Sequence, residues 1–214
     1  MKILFVTSEF GSNGGGLSLS SERVFNYLSE RYSVQIVNPK NPQVLVADGG
    51  YNQELASAIR HENNLKIDAY QYQDKDIDYV IAFSGGFNGY YASILAQRIN
   101  SSFILCLRGT DVNLAKWSPT ETFYLRESAI HSYKVVCLSR EMIENLRLID
   151  NSFCAKCVLI PNPIVSGEGV AFTAKRNPAI VIGTASTHLN EKKGVANLLS
   201  MVKLAKEGGI EINL

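Results

Sequence analysis

The feature that most narrows what this chain can fold into is a recurring pair: a short, nearly unbroken apolar run, then small or polar residues opening a helical pattern. Lys2 to Thr7 leads into Gly11-Ser12-Asn13-Gly14-Gly15-Gly16 and an amphipathic segment from Ser18 to Arg31. Ile77 to Phe83 leads into Ser84-Gly85-Gly86 and a helical segment from Tyr90 to Ile99, and Phe103 to Leu107 leads into Arg108-Gly109-Thr110-Asp111. Tyr133 to Leu138 is followed by Ser139, a good helix N-cap, and by Met142, Ile143, Leu146 and Ile149 at periods of three and four. Unbroken apolar strands are buried on both faces, and their alternation with helices means βα units and a parallel sheet. The expected fold is therefore α/β, a doubly wound parallel sheet. Ligands of such sheets bind beyond the carboxyl ends of the strands. The glycine loop, Ser84 to Gly86, Arg108 to Asp111 and Ser139-Arg140 all fall there, so four polar or glycine-rich segments converge on one edge.

A strand, a glycine loop and a helix N-terminus together make a place for an anion, because unsatisfied N–H groups and the positive end of the helix dipole face it. Two familiar phosphate loops fail on spacing. In a nucleoside-triphosphatase loop, Gly11-x-x-x-x-Gly16 would be followed by lysine, and Leu17 stands there. In a dinucleotide fingerprint a small residue belongs at Leu19, and the second strand, Val34 to Val37, ends in Asn38 rather than a ribose-binding acid. The alternative to an anion site is a tight strand-to-helix turn that binds nothing.

Composition excludes other classes. The formal net charge is +1 and the basic residues are scattered, so no basic face argues for nucleic acid. The first apolar run is broken by Ser8 and Glu9, too early for a signal peptide, and no stretch has the length of a membrane span, so a cytoplasmic protein is expected. Cys106 and Cys137 lie in strand patterns and read as core. Cys154-x-x-Cys157 lacks a second ligand pair, and His61, His131 and His188 are isolated from it, so no metal site is expected.

A length of 214 residues corresponds to roughly one to one and a half domains. Residues 1–163 read as a first domain ending in the strand from Cys157 to Ile160 and Pro161-Asn162-Pro163, and residues 164–178 as a linker. Residues 179–214 hold a strand from Ala179 to Gly183, a helix from Lys193 to Lys206 and the start of another strand. One βαβ fragment cannot cover its own apolar faces, so this segment reads as the opening of a second domain and the chain as truncated.

At this point the chain resembles, over its whole length, the retaining nucleotide-sugar glycosyltransferases of the two-Rossmann-domain GT-B type, group 1 or family 4. The resemblance rests on Gly14-Gly15-Gly16, Arg108-Gly109-Thr110-Asp111-Val112, Leu138-Ser139-Arg140, Ile160-Pro161-Asn162-Pro163, and Ile182-Gly183 with Lys192-Lys193-Gly194. It implies that Gly14, Gly15 and Gly16 lie against the donor diphosphate and reacting sugar. It identifies Arg108 to Asp111 as the active-site loop, with Arg108 and Asp111 as its catalytic pair. A histidine often stands in place of Arg108; arginine can clamp phosphate or an acceptor hydroxyl but cannot act as a base at neutral pH. Asp111 either orients a sugar hydroxyl or caps a helix. Gly85, Gly86, Gly109, Ser139, Arg140 and Asn162 are expected to line the cleft.

Lys193 resembles the family lysine that stabilises the leaving diphosphate, with Lys192 its competitor. Thr184 stands where an arginine often follows the strand-ending glycine, on the donor-diphosphate side. Family members carry a spaced pair of glutamates further along the second domain, and this sequence ends before any such element, so the stretch by itself is expected to be inactive. The implied activity is transfer of a sugar from a nucleotide sugar to a glycan or lipid-linked acceptor in bacterial surface polysaccharide synthesis. It would need no cofactor or metal, and the full enzyme would sit peripherally at the inner face of the membrane. The alternatives are a nucleotide-sugar epimerase of related architecture and a non-catalytic sugar- or partner-binding domain, and the exposed second-domain fragment could be buried in a homodimer.

Overall fold

The apolar runs become strands because their alternate residues are buried by helices on opposite sides. The computed structural model describes residues 1–11, 15–39, 65–66, 68–73, 75–162, 180–184 and 194–213. The chain divides into two units, Met1–Pro163 and Ile164–Leu214. In the first, the elements are β1 (Lys2–Val6), α1 (Gly16–Ser29), β2 (Ser33–Val37), β3 (Tyr79–Phe83), α2 (Gly86–Arg98), β4 (Ser102–Cys106) and α3 (Thr110–Ala115). They continue as α4 (Pro119–His131), β5 (Lys134–Cys137), α5 (Arg140–Ile149), a 3-10 turn (Asn151–Lys156) and β6 (Cys157–Leu159).

The six strands form one sheet in the order β2-β1-β3-β4-β5-β6, and every pair is parallel. This is an α/β, Rossmann-like architecture. From β1 the chain steps outward to β2, then returns to the other side of β1 with β3 and continues in that direction. The reversal leaves a seam between β1 and β3, with Phe5 of β1 beside Ile81 of β3. A doubly wound sheet binds its ligands at the carboxyl end of such a seam.

The two faces are filled differently. Leu4, Val6, Val80, Ala82, Leu105 and Val135 point to one face and share a core with Tyr91 and Leu95 of α2, Leu125 of α4 and Leu146 of α5. Ile3, Phe5, Ile81 and Phe83 point to the other, against Leu17, Val24, Phe25 and Leu28 of α1. Those four α1 residues recur at the spacing of one helix face, which explains why the segment is helical and how it is oriented. The Phe5 ring lies 6.2 Å from Phe25 and 5.3 Å from Phe83, centroid to centroid. Each fully buried side chain of this size stabilises the fold by about 1.5–3 kcal/mol through removal of apolar surface from water.

Three features differ from the sequence reading. Helix α2 begins at Gly86 rather than near Tyr90, and it contains Gly89 in its first turn. A Cβ on Gly89 would lie 2.9 Å from Ser128 Oγ of α4 and 3.0 Å from Leu105 Cδ1, so the glycine is there for close helix packing. Thr110 and Asp111 open α3 instead of lying in a loop, and α4 follows it. The signal for α4 was present: in Ser118-Pro119-Thr120-Glu121, Ser118 Oγ accepts from the Glu121 N–H at 3.3 Å and proline occupies the first turn.

Of the cysteines expected in the core, Cys137 is fully buried and Cys106 partly so; burial pushes the Cys106 thiol up to about 12 and raises Cys137 also. The Cys137 and Cys157 sulfurs lie 4.0 Å apart across β5 and β6. Among the described residues no group of three or more His, Cys, Asp or Glu is placed to hold a metal ion, and no helix is long and apolar enough to cross a membrane. In the second unit, β7 (Ile180–Val181) and β8 (Ile212–Asn213) pair in parallel, and α6 (Val195–Glu207) connects them.

Candidate functional site

Where β1 and β3 end, the chain turns away on opposite courses and leaves a cleft of about 660 Å³ in the first unit. Ser8 and Glu9 after β1, with Gly16, Leu17 and Ser20 of α1, form one wall. Ser84, Gly85, Gly86 and Asn88, from the end of β3 and the start of α2, form the facing wall. Arg108, Asp111, Leu114, Glu121 and Asn162 close it on the β4 side.

The α1 end suits an anion. Gly15 occupies the N-cap position with extended backbone, no side chain among the described residues caps the helix, and its first turn contains no acidic residue. Beside Gly15 and Gly16 there is open space where a Cβ would stand, so the main chain can be approached closely. Among the described residues no side chain takes up the first-turn N–H groups, and the helix dipole favours an anion there. Gly11 takes a positive φ of 101° and turns the chain here, whereas Gly15 does not need one. Gly14 lies outside the described residues.

Among the described residues that line the cleft, Arg108 is the cation. Its guanidinium stacks 4.4 Å from the centroid of the Phe83 ring, Nη2 donates to Asn162 Oδ1 at 2.8 Å, and the buried Nε has no partner among the described residues. Burial lowers its affinity for the proton, with Cys106 and Asp111 acting in the opposite direction. It stays charged at neutral pH and keeps donors for a ligand.

Asp111 is 8% exposed and its carboxylate is taken up by main-chain donors. It accepts from Gly85 N at 2.6 Å, Gly109 N at 2.8 Å, Arg108 N at 3.0 Å and Val112 N at 3.0 Å. The side chain therefore fastens the turn after β3 to the turn after β4. The N-cap position of α3 is Gly109, whose φ of 103° favours glycine. Gly85 is fixed by the same fastening: a Cβ there would sit 3.0 Å from both Asp111 Cβ and Leu107 Cδ2.

The seam is bridged by residues that sequence reasoning missed. Asn88 Nδ2 donates to Ser8 Oγ at 3.0 Å and to Ser84 Oγ at 2.9 Å, tying the β1 turn to the β3 turn. Ser84 itself has φ of 145°, a region that side chains rarely adopt and that costs about 1–3 kcal/mol. Glu121 projects over Gly86, close enough that a Cβ on that glycine would meet Oε2 at 2.7 Å. Gly86 has no such atom and holds φ of 57°.

Of the expected cleft residues, Gly85, Gly86 and Asn162 line the cavity with Arg108, Asp111 and Gly16. Gly109 lies between two lining residues and binds Asp111. Ser139 and Arg140 are not among the walls; Ser139 Oγ caps α5 by accepting from Met142 N at 3.2 Å, and Arg140 is exposed. Asn162, after β6, which lies still farther from the seam than β5, does reach the cavity and meets Arg108 there. Thr184 is exposed in the second unit, and Lys193 lies outside the described residues.

No family model and no curated protein sequence matches the chain. Solved structures do. One described as lipopolysaccharide outer core galactosyltransferase WaaB, apo form, is 14% identical, with a TM-score of 0.59 over 85% of this chain and 51% of its own. UDP-GlcNAc 2-epimerases from Methanocaldococcus jannaschii and from Neisseria meningitidis, the latter bound to UDP-GlcNAc, are 14% and 17% identical. Each has a TM-score of 0.49, over 74% of this chain and 45% and 46% of its own. The chain spans about half the length of these structures, and it has the same α/β fold as the corresponding part of the galactosyltransferase.

Proposed function

We propose that this chain is the acceptor-side part of a retaining glycosyltransferase that takes a sugar from a nucleotide-sugar donor to a glycan or lipid-linked acceptor of a bacterial surface polysaccharide. The observation that carries the reading is the α1 N-terminus, uncapped among the described residues and free of acidic first-turn residues, opening into the seam cleft that also holds Arg108. That pairing of main-chain donors with a delocalised cation matches a diphosphate. The likeness of fold to a galactosyltransferase supports the same class.

In this reading, the N–H groups of Gly15, Gly16 and Leu17 and the Arg108 guanidinium offset the charge that grows on the diphosphate as the glycosidic bond breaks. The acceptor hydroxyl attacks the anomeric carbon on the face the diphosphate leaves, and a phosphate oxygen takes its proton. No side chain of the cleft is assigned as covalent nucleophile. Asp111 is a positioning residue that sets the distance between the two turns. Lys193 and Thr184 belong to the donor side.

The test is a titration of the chain with uridine diphosphate and with inorganic pyrophosphate, followed by amide resonances. Gly15, Gly16, Leu17 and the Arg108 side chain should move. Arg108→Ala should weaken binding by about tenfold or more, the loss expected for one charge-assisted contact. Undisturbed α1 resonances at millimolar ligand would overturn the reading. Lys193→Ala should weaken nucleotide binding measured by calorimetry; unchanged affinity would remove Lys193 from the site.

A further inference from the structure

One motif of the sequence lies apart from the cleft: Cys154-x-x-Cys157, neither cysteine of which lines the cavity. The structure places it on the 3-10 turn Asn151–Lys156, which Cys157 closes by donating its N–H to the Cys154 carbonyl. Side chains three apart on such a turn eclipse, and a rise of about 2 Å per residue sets their Cα atoms roughly 6 Å apart. A disulfide spans about 4.4–6.8 Å between Cα atoms, so this pair can be bridged without moving the backbone. Cys157 Sγ already leans back over the turn, donating at 3.4 Å to the carbonyl of the peptide bond that joins Phe153 to Cys154. The turn itself is anchored, with Phe153 only 1% exposed and Lys156 Nζ donating to the Ala129 and Ile130 carbonyls at 3.1 and 2.6 Å.

A third sulfur, Cys137 Sγ, lies 4.0 Å from Cys157 Sγ but is a poor partner for it. The register of β5 on β6 sets Cys137 against Leu159 and Cys157 against Val135, two residues out of step. With strands about 4.8 Å apart and about 3.3 Å of rise per residue, their Cα atoms are roughly 8 Å apart. That is more than a disulfide bridges without backbone movement. Cys137 is also fully buried, whereas Cys154 and Cys157 are partly exposed.

The two thiols of the turn have different surroundings. Beside the Cys154 sulfur stands the Arg147 guanidinium, whose hold on its proton is strengthened first by that sulfur and then by the Glu144 carboxylate at 2.8 Å. The thiolate is the reacting form of cysteine, and a guanidinium is a counter-ion for it. Burial instead raises the Cys157 thiol, with the contact to Cys137 acting in the opposite direction.

We infer that Cys154 and Cys157 form a reversible thiol–disulfide site that reacts with low-molecular-weight disulfides, Cys154 as the entering thiol and Cys157 as the resolving one. In the first step the Cys154 thiolate attacks one sulfur of the partner; the partner's S–S bond breaks, a mixed disulfide forms, and a thiolate leaves and takes a proton from water. In the second, Cys157 gives its proton to water and attacks the Cys154 sulfur, expelling the other half of the partner as a thiolate. The partner is reduced to two thiols as the pair is oxidised, and excess thiol reverses both steps. The site is independent of the glycosyltransferase reading.

The test incubates the whole chain with oxidised glutathione, quenches with acid, blocks free thiols with N-ethylmaleimide in denaturant and maps tryptic peptides by mass. Trypsin cuts after Arg147, Lys156 and Lys175, so the disulfide joins the peptides of residues 148–156 and 157–175. That cross-link is expected, with Cys106 and Cys137 alkylated, and excess reduced glutathione should remove it. Cys157→Ser should accumulate one glutathione on Cys154, and Cys154→Ser should take glutathione onto Cys157 about tenfold more slowly, both with the far-UV circular dichroism of the wild type. The wild-type cross-link needs no variant: its absence at millimolar oxidised glutathione, or a cross-link through Cys137, overturns the inference. Equal rates of glutathione uptake in the two serine variants overturn the order of the thiols.

Discussion

Replacing Asp111 by asparagine separates a residue that holds the site from one that reacts in it. The carboxylate accepts four main-chain N–H groups, from Gly85, Arg108, Gly109 and Val112. An asparagine of the same shape offers one carbonyl oxygen, so whichever way the amide lies, its NH2 faces at least one of those donors. A buried donor left unpaired costs about 1–3 kcal/mol, and the bonds that survive lose the benefit of the charge. The expected loss is about 3 kcal/mol, which for a domain of this size lowers Tm by roughly 6–12 °C. Thermal unfolding followed by far-UV circular dichroism measures it. Arg108→Ala is the counterpart: it should lower Tm by no more than about 2–4 °C, the effect of about 1 kcal/mol, and act on anion binding instead. If Asp111→Asn melts like the wild type, within about 2 °C, the carboxylate does not fasten the two turns and its role must lie with a ligand.

Other expectations follow from particular contacts. Gly89→Ala should destabilise by about 1–2 kcal/mol, in spite of alanine's gain of roughly 1 kcal/mol in helix propensity, because its Cβ collides with Ser128 and Leu105. Adding Ser128→Ala should restore most of the loss in guanidinium denaturation; a stabilising Gly89→Ala would contradict the packing. Burial raises the carboxyl of Asp68 from its ordinary 3.8, and the bond donated by the Tyr91 hydroxyl at 2.6 Å offsets this only in part. The native state therefore keeps this proton to a higher pH than the unfolded chain, so its contribution to stability declines as pH rises above 3.8 through the native value. Asp68→Asn should remove that segment of the stability curve, as read from urea midpoints at successive pH values; an unchanged curve would refute the assignment. Arg108→Lys keeps the charge but loses the stack on Phe83 and the bond to Asn162, so pyrophosphate affinity should fall by about five- to tenfold, with calorimetry as the check.

The strands were legible because burial on both faces leaves an unbroken apolar run, and the start of α5 was legible because a capping serine acts within three residues of itself. The beginnings of α2 and α3 were not. Gly86 and Gly89 look like helix breakers until the partners that need their missing side chains, Glu121 and Ser128, are brought in from α4. The site divides in the same way. That Gly85, Gly86, Arg108 and Asn162 share a cleft follows from strands ending at a common edge. The edge rule does not say which residues at that edge turn into the cleft: Asn162, after the outermost strand, meets Arg108 there, whereas Ser139 caps α5 instead. Asp111 reads locally as a cap or a ligand, and its partner Gly85 is 26 residues away. Such a pairing has no trace in local periodicity.

The seam between β1 and β3 also bears on how the protein is assembled in time. Its closing contact, from Lys2 N to Asp78 Oδ2, joins residues 76 apart, whereas the Cys137–Cys157 contact between β5 and β6 spans only 20. Closing the longer loop carries the larger entropic cost, and distant pairings form more slowly. The β3-to-β6 half should thus gain structure first, with β1 and β2 docking onto it afterwards. Since the cleft has one wall on each side of that seam, its two halves are born separately, and the ability to bind should appear only with the final event of folding.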